Sequence, residues 1–168
     1  PGRRVGVTYL ADDPGISNVS RHYPPHIPRI RAEVETMLAL KPDLAVVSSH
    51  TDAIVVHLLM HAGVAVARLS SFDSFAGIAE NIHTLGEILG TKAQAARLVA
   101  EMRARLAAVQ RRVAGRPRPR VLYYGLGGNT GGPGSLTDEM LQRAGGYNVI
   151  RDTGITGYRR ITPELAIT

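Results

Sequence analysis

The chain has 168 residues, a formal net charge of +6 carried mostly by arginine, and no cysteine, which excludes disulfides and thiol chemistry. Only six Tyr and two Phe accompany the scattered arginines, so no basic-aromatic platform for nucleic acid is written here. No apolar run approaches the ~18 residues needed to cross a bilayer as a helix. Arg4 to Tyr9 alternates Val5, Val7 and Tyr9 with small residues and reads as a strand. Leu10 to Pro28 reads as a long loop, with turn chemistry at Asp12-Asp13-Pro14-Gly15 and helix-blocking Pro24, Pro25 and Pro28. A helix over about 32–40 stops at Lys41-Pro42. Leu44 to Ser49 is a continuous apolar run fit for a buried parallel strand. Asp52 to Ala62 reads as helix, ended by Gly63; Val64 to Leu69 reads as strand. A helix over about 74–89 follows, with Ile78, Ile82, Leu85 and Leu89 on one face.

The longest element comes next, a helix over about 92–114. Leu98, Met102, Leu106, Val109 and Val113 recur at steps of three and four. Thr91 and Gln94 have the spacing of a capping box, and Gly115, Pro117 and Pro119 forbid continuation. At 1.5 Å per residue the rod spans roughly 34 Å, the width of a small domain. Arg120 to Leu126 then reads as a strand entering a glycine-rich loop, 125–134. Ser135 caps a helix through Ala144, Gly145-Gly146 ends it, and Asn148 to Arg151 reads as a short strand. Residues 154–160 read as loop, and Thr162-Pro163-Glu164 as a helix start.

Alternating strand and helix imply α/β architecture with parallel sheets and right-handed crossovers. The expected plan has two lobes, each a parallel sheet flanked by helices, joined by the long helix. The division reads 1–90, 91–115 and 116–168. Ligands of such sheets bind at the carboxyl ends of strands. Those ends carry Tyr9, Ser49, His50 and the 124–128 segment: hydroxyls, backbone groups and an imidazole, with no paired nucleophile and base. This is recognition chemistry, so no catalytic residue is assigned.

Several stretches carry a family resemblance. Residues 35–47, from Glu35 through Leu40-Lys41-Pro42-Asp43-Leu44, resemble the "E-x-I-x-A-L-K-P-D-L-V" segment of substrate-binding proteins of iron-siderophore, haem and cobalamin ABC importers. Val5-Gly6-Val7-Thr8 is similar to the strand that precedes it. Gly134-Ser135 through Gly145-Gly146-Tyr147-Asn148 resembles the family's "G-x-x-S-x-x-x-E-L-L…A-G-G-x-N", and Ile161-Thr162-Pro163-Glu164 its "v-S-x-E". The resemblance runs from about residue 4 to residue 167. It implies two α/β lobes joined by one long helix, a ligand held in the inter-lobe cleft, and delivery to a membrane permease. It also implies a periplasmic or lipid-anchored cell-surface location and no intrinsic cofactor. The implied cargo is a ferric siderophore, cobalamin or haem.

Carried over by position, Glu35 and Glu164 match the glutamates that pair with permease arginines, with Glu33 a rival for the first. Tyr158 stands where cobalamin-binding relatives carry an aromatic, and Arg159 and Arg160 suit a carboxylate-bearing ligand. Asn129 is the best polar side chain of the glycine-rich loop. His22, Tyr23 and His26 are candidates for an axial haem ligand. His57 and His61 have metal-ligand spacing, yet no third ligand stands near them in sequence, and no metal site is assigned. Two other classes stay open. One is an α/β enzyme holding a nucleotide or phosphate at 125–134, although Thr130 stands where the third glycine of a dinucleotide loop belongs. The other is a zinc- or manganese-capturing relative. The second lobe has only two convincing strands, which suggests a fragment of a longer protein, prone to self-association through open sheet edges.

Overall fold

The computed structural model describes residues 4–17, 23–31, 33–70 and 72–164. The chain divides into two compact units, residues 1–69 and 70–168.

The first unit runs β1 (Val7–Thr8), β2 (Arg29–Ile30), α1 (Val34–Ala39), β3 (Leu44–Ser48), α2 (Ala53–His61) and β4 (Ala65–Leu69). β3 and β4 form a parallel pair, Leu44 opposite Ala65 and Ser48 opposite Leu69. Between them α2 makes the crossover that the sequence grammar predicts. Asp52 caps α2 by accepting the Ile54 N–H at 2.7 Å, and Gly63 leaves it at φ +82°. Leu59 of α2 is fully buried, with Val47, Val64 and Ala67 of the strand pair and its approach also in the core.

β1 is shorter than the expected strand over 4–9. It pairs in parallel with β2 for two residues only, and Tyr9 already opens a 3-10 turn, Tyr9–Asp12. The Thr8 hydroxyl accepts the Leu10 N–H and starts that turn. β2 itself lies just past the loop read over 10–28, at residues to which the sequence reading assigns no element. Arg29 explains its place: the guanidinium binds both Asp12 carboxylate oxygens and the carbonyls of Pro24 and Ile27, folding the proline-rich segment back on β1. That pairing holds the Asp12 carboxyl below its ordinary range and raises Arg29.

The second unit begins with α3 (Phe75–Ile88) and α4 (Lys92–Val113), followed by β5 (Arg120–Val121), β6 (Asn129–Gly131), α5 (Leu136–Arg143), β7 (Tyr147–Asn148) and β8 (Tyr158–Arg160). α4 is continuous across Met102, as its periodicity requires. α3, grouped with the first lobe on sequence, packs here on α4. Gly86 makes that packing close, since a Cβ at residue 86 would lie 2.4 Å from the Ala95 Cβ. The expected capping box at Thr91 does not form. Thr91 sits at φ −121°, ψ 37°, with its N–H given to the Gly86 carbonyl at 2.7 Å, and its side chain makes no cap bond. The chain reversal at Gly90, φ +69°, dictates that geometry.

Strand pairing in this unit is also briefer than expected. β5 covers 120–121 rather than 120–126, and pairs in parallel with β7, which covers 147–148 rather than 148–151. After β7 the chain turns into a 3-10 segment, Val149–Thr153, because the Asn148 side chain captures the Ile150 N–H. Residues 158–160, read as loop, form β8, antiparallel to β6 with Asn129 opposite Arg160 and Gly131 opposite Tyr158. This unit therefore holds one parallel pair and one antiparallel ribbon, as separate two-stranded sheets. Every sheet among the described residues has two strands.

Candidate functional site

In the first unit the candidates sit at the carboxyl ends of β1 and β3. Tyr9 follows β1 and is exposed, with the Arg31 guanidinium 4.5 Å from its ring centroid. Stacked this way, the ring offers one face and the guanidinium offers charge. Ser49 and His50 follow β3. The Ser49 hydroxyl lies 3.4 Å from His50 Nδ1, and the His50 N–H donates to the Ser48 hydroxyl at 3.2 Å. Arg68 of β4 donates to the carbonyls of Ser49 and Thr51, so the turn is fixed from the neighbouring strand. Of the axial-ligand candidates, Tyr23 stacks under Arg4 at 4.8 Å and His26 is exposed. His22 lies outside the described residues.

In the second unit β6 and β8 bring Asn129, Tyr158, Arg159 and Arg160 into one ribbon. Tyr158 is half exposed. The Asn129 side chain donates to the Leu126 carbonyl at 2.8 Å, and Arg160 Nε donates to the Gly127 carbonyl at 2.9 Å. The Arg159 side chain donates to the neighbouring Tyr158 carbonyl at 2.9 Å and is otherwise exposed. Near this ribbon lie Tyr124 and Leu126 of the 124–128 strand end named from the sequence, and Tyr123, which is not. Leu126 is 96% exposed, and Tyr123 and Tyr124 are nearly half exposed. An exposed leucine and two half-exposed tyrosines thus lie close in sequence to the arginine-bearing ribbon. The sequence reading has 120–126 as one strand, whereas pairing stops at Val121.

The glycine-rich loop does not form a phosphate cradle. Several of its amides are already engaged: Gly125 N–H on the Asn129 carbonyl, Gly128 on Gly125 and Gly132 on Gly157. Gly127 and Gly128 adopt φ +68° and +80°, and a Cβ on Gly128 would meet the Ile161 carbonyl oxygen at 2.5 Å. The glycines are there for backbone close to backbone.

A buried polar knot holds the ribbon to α5. Asn148, with no exposed surface, donates to the Gly131 carbonyl at 2.8 Å and to Asp138 at 2.9 Å. Arg151 grips both Asp138 oxygens at 2.9 and 2.6 Å. Ser135 accepts the Asp138 N–H and donates to Gly132. Burial pushes the Asp138 carboxyl up, but the bonds from Arg151 and Asn148 outweigh it and leave it below its ordinary range. A carboxyl lowered by folding stabilises above its unfolded value, about 3.9, and that contribution is lost as pH falls through the folded value. The urea midpoint should therefore fall as pH drops below about 4, more steeply than in Asp138→Asn. Equal steepness would contradict the role given to Asp138.

Both docking candidates are exposed: Glu35 in the first turn of α1 and Glu164 at the last described position. The Glu164 carboxyl is held below its ordinary range by its own N–H and the Thr162 hydroxyl. Glu33, the rival, precedes α1 without capping it by its side chain. No group of three or more His, Cys, Asp or Glu able to hold a metal ion occurs among the described residues.

A family model described as periplasmic binding protein matches residues 5–167. The chain belongs to that family. It is 32% identical over 141 residues to a cobalamin-binding protein of Halobacterium salinarum, covering 82% of this chain and 38% of that relative. Among solved structures, the periplasmic haem-binding protein RhuT of Roseiflexus sp. RS-1 superposes with a TM-score of 0.78 at 26% identity, covering 97% of this chain and 64% of that one. A periplasmic haem-binding protein of Pseudomonas aeruginosa gives 0.76 at 27% identity, with 96% and 59% covered. The vitamin B12-binding protein BtuF of Vibrio cholerae shares the fold, with a TM-score of 0.69 at 20% identity. The chain thus spans about two fifths of the curated relative's length. The α/β fold expected from the sequence is that of the family, and these relatives are named for binding, none for catalysis.

Proposed function

We propose that this chain belongs to the ligand-capturing component of an ABC importer, working outside the cytoplasmic membrane, with a metal chelate (cobalamin, haem or a ferric siderophore) as cargo. The observation that carries the reading is membership of the periplasmic binding protein family over residues 5–167. The residues at the strand ends agree with it. Tyr9, Ser49 and His50 on one unit, and Asn129, Tyr158 and Arg159 on the other, offer rings, hydroxyls and cations rather than a nucleophile and base. Cobalamin is the first cargo to test, since the 32%-identical relative is named for it. Haem is the second, because Arg159 and Arg160 suit propionate carboxylates and two haem-binding structures exceed 25% identity. A ferric siderophore makes the same demand for rings and cations.

Glu35 and Glu164 are the proposed contacts to arginines of the permease. Placed in the protein in its native cell, Glu35→Arg or Glu164→Arg should lower uptake of labelled cobalamin or haem about tenfold, because like charges then face each other. The dissociation constant of the purified variants should stay within about twofold of the unaltered protein. Normal uptake would remove the docking role. Lost affinity would place the glutamates in the ligand site or the fold.

A further inference from the structure

We propose that His57 and His61 on α2 form a two-imidazole site for a divalent transition-metal ion, separate from the cargo residues. The two side chains are one helical turn apart, both exposed, on a helix fixed by the Asp52 cap and the buried Leu59. Their rings are already parallel to within 21°, with centroids 6.3 Å apart. Two imidazoles bound to one ion through N–metal bonds of about 2.0–2.1 Å have centroids roughly 5 Å apart at a tetrahedral angle. The rings therefore need to close by about 1 Å, a small rotation of exposed side chains.

Nothing competes with the ion for this pair. Among the described residues neither imidazole makes a hydrogen bond or ion pair. From His50 to Ala62 the only formal charge is Asp52, and no Lys or Arg is present to repel a cation. His61 stands in the last turn of α2, where the carbonyl end of the helix dipole favours positive charge. Two nitrogen donors without a carboxylate select zinc, nickel or copper over magnesium or calcium. Water completes the coordination, since no third protein ligand is at hand among the described residues. The α-helix supplies preorganisation: one imidazole bound holds the second at high effective concentration.

The test is a calorimetric titration of the chain with ZnCl2, NiCl2 and MgCl2. One saturable site is expected for zinc and nickel, and none for magnesium. His57→Ala and His61→Ala should each weaken binding roughly tenfold or more, because the second donor is lost. His83→Ala, on α3, should leave it unchanged. Both substituted side chains are exposed, and circular dichroism of the variants checks that α2 persists. In the unaltered chain, zinc should also move the ring proton resonances of these two histidines together. Unchanged affinity in both variants, equal binding of magnesium, or no zinc binding at all would overturn the proposal.

Discussion

Asn148→Ala should destabilise the second unit by about 3–5 kcal/mol, a large share of the 5–15 kcal/mol that holds a typical domain. Asn148 is wholly buried and serves three partners at once: the Gly131 carbonyl, the Asp138 carboxylate and the Ile150 N–H. Alanine removes all three bonds; Asp138 keeps Arg151, while the Gly131 carbonyl and the Ile150 N–H lose the amide, each loss worth about 1–3 kcal/mol. The loss should appear as a lower urea midpoint followed by far-ultraviolet circular dichroism. Amide exchange should rise in β6 and in the 149–153 turn before it rises in α4. A midpoint within about 0.5 kcal/mol of the unaltered protein would mean that water replaces the amide and that the knot does not hold the ribbon.

Gly132→Ala should cost about 3 kcal/mol or more, by a different route. A Cβ there would stand 2.1 Å from the Ile155 carbonyl oxygen and 3.2 Å from Ile150 Cγ2. The first neighbour is backbone and cannot swing aside. Relief requires parting 132–133 from 155–157, which breaks the bonds Gly132 N–H to Gly157 and Gly157 N–H to Pro133. Those bonds set the approach to β8, so Tyr158 and Arg159 should lose their register with β6. Gly154→Ala is the control. It meets no atom within 4 Å but adopts φ +75°, and should cost about 1 kcal/mol from backbone strain alone. Equal losses at the two positions, measured by thermal unfolding, would show that close approach is not what residue 132 requires.

These two sites show which parts of the fold can be read from sequence. Local signals were legible. Ser135 caps its helix as read from the sequence, the helices starting at about 52 and 74 form, and the α4 stripe gives one unbroken helix. The β3–α2–β4 crossover follows from its apolar runs. Pairings that depend on distant residues were not legible. β2 exists because Arg29 reaches Asp12, and β8 because 158–160 finds 129–131; two or three residues carry too little period to announce a strand. Thr91 failed as a cap for a similar reason: the close packing at Gly86 and Ala95, invisible locally, fixes the turn before α4. The residues of the candidate site were named from strand ends and from family position. The exposure of Leu126, within the 124–128 strand end, is decided by where β5 stops pairing, which the sequence does not announce.

Capture of a metal chelate is read directly by visible absorbance. The chain titrated with cyanocobalamin, hemin and a ferric siderophore should give a saturable, one-to-one spectral change with one of the three. That change should weaken about tenfold or more in a Tyr158→Ala, Arg159→Ala double variant, which removes a ring and a guanidinium from the β6–β8 ribbon. ATP and NAD should neither bind nor compete. No saturable change with any of the three, or an affinity untouched by the double variant, would contradict the account.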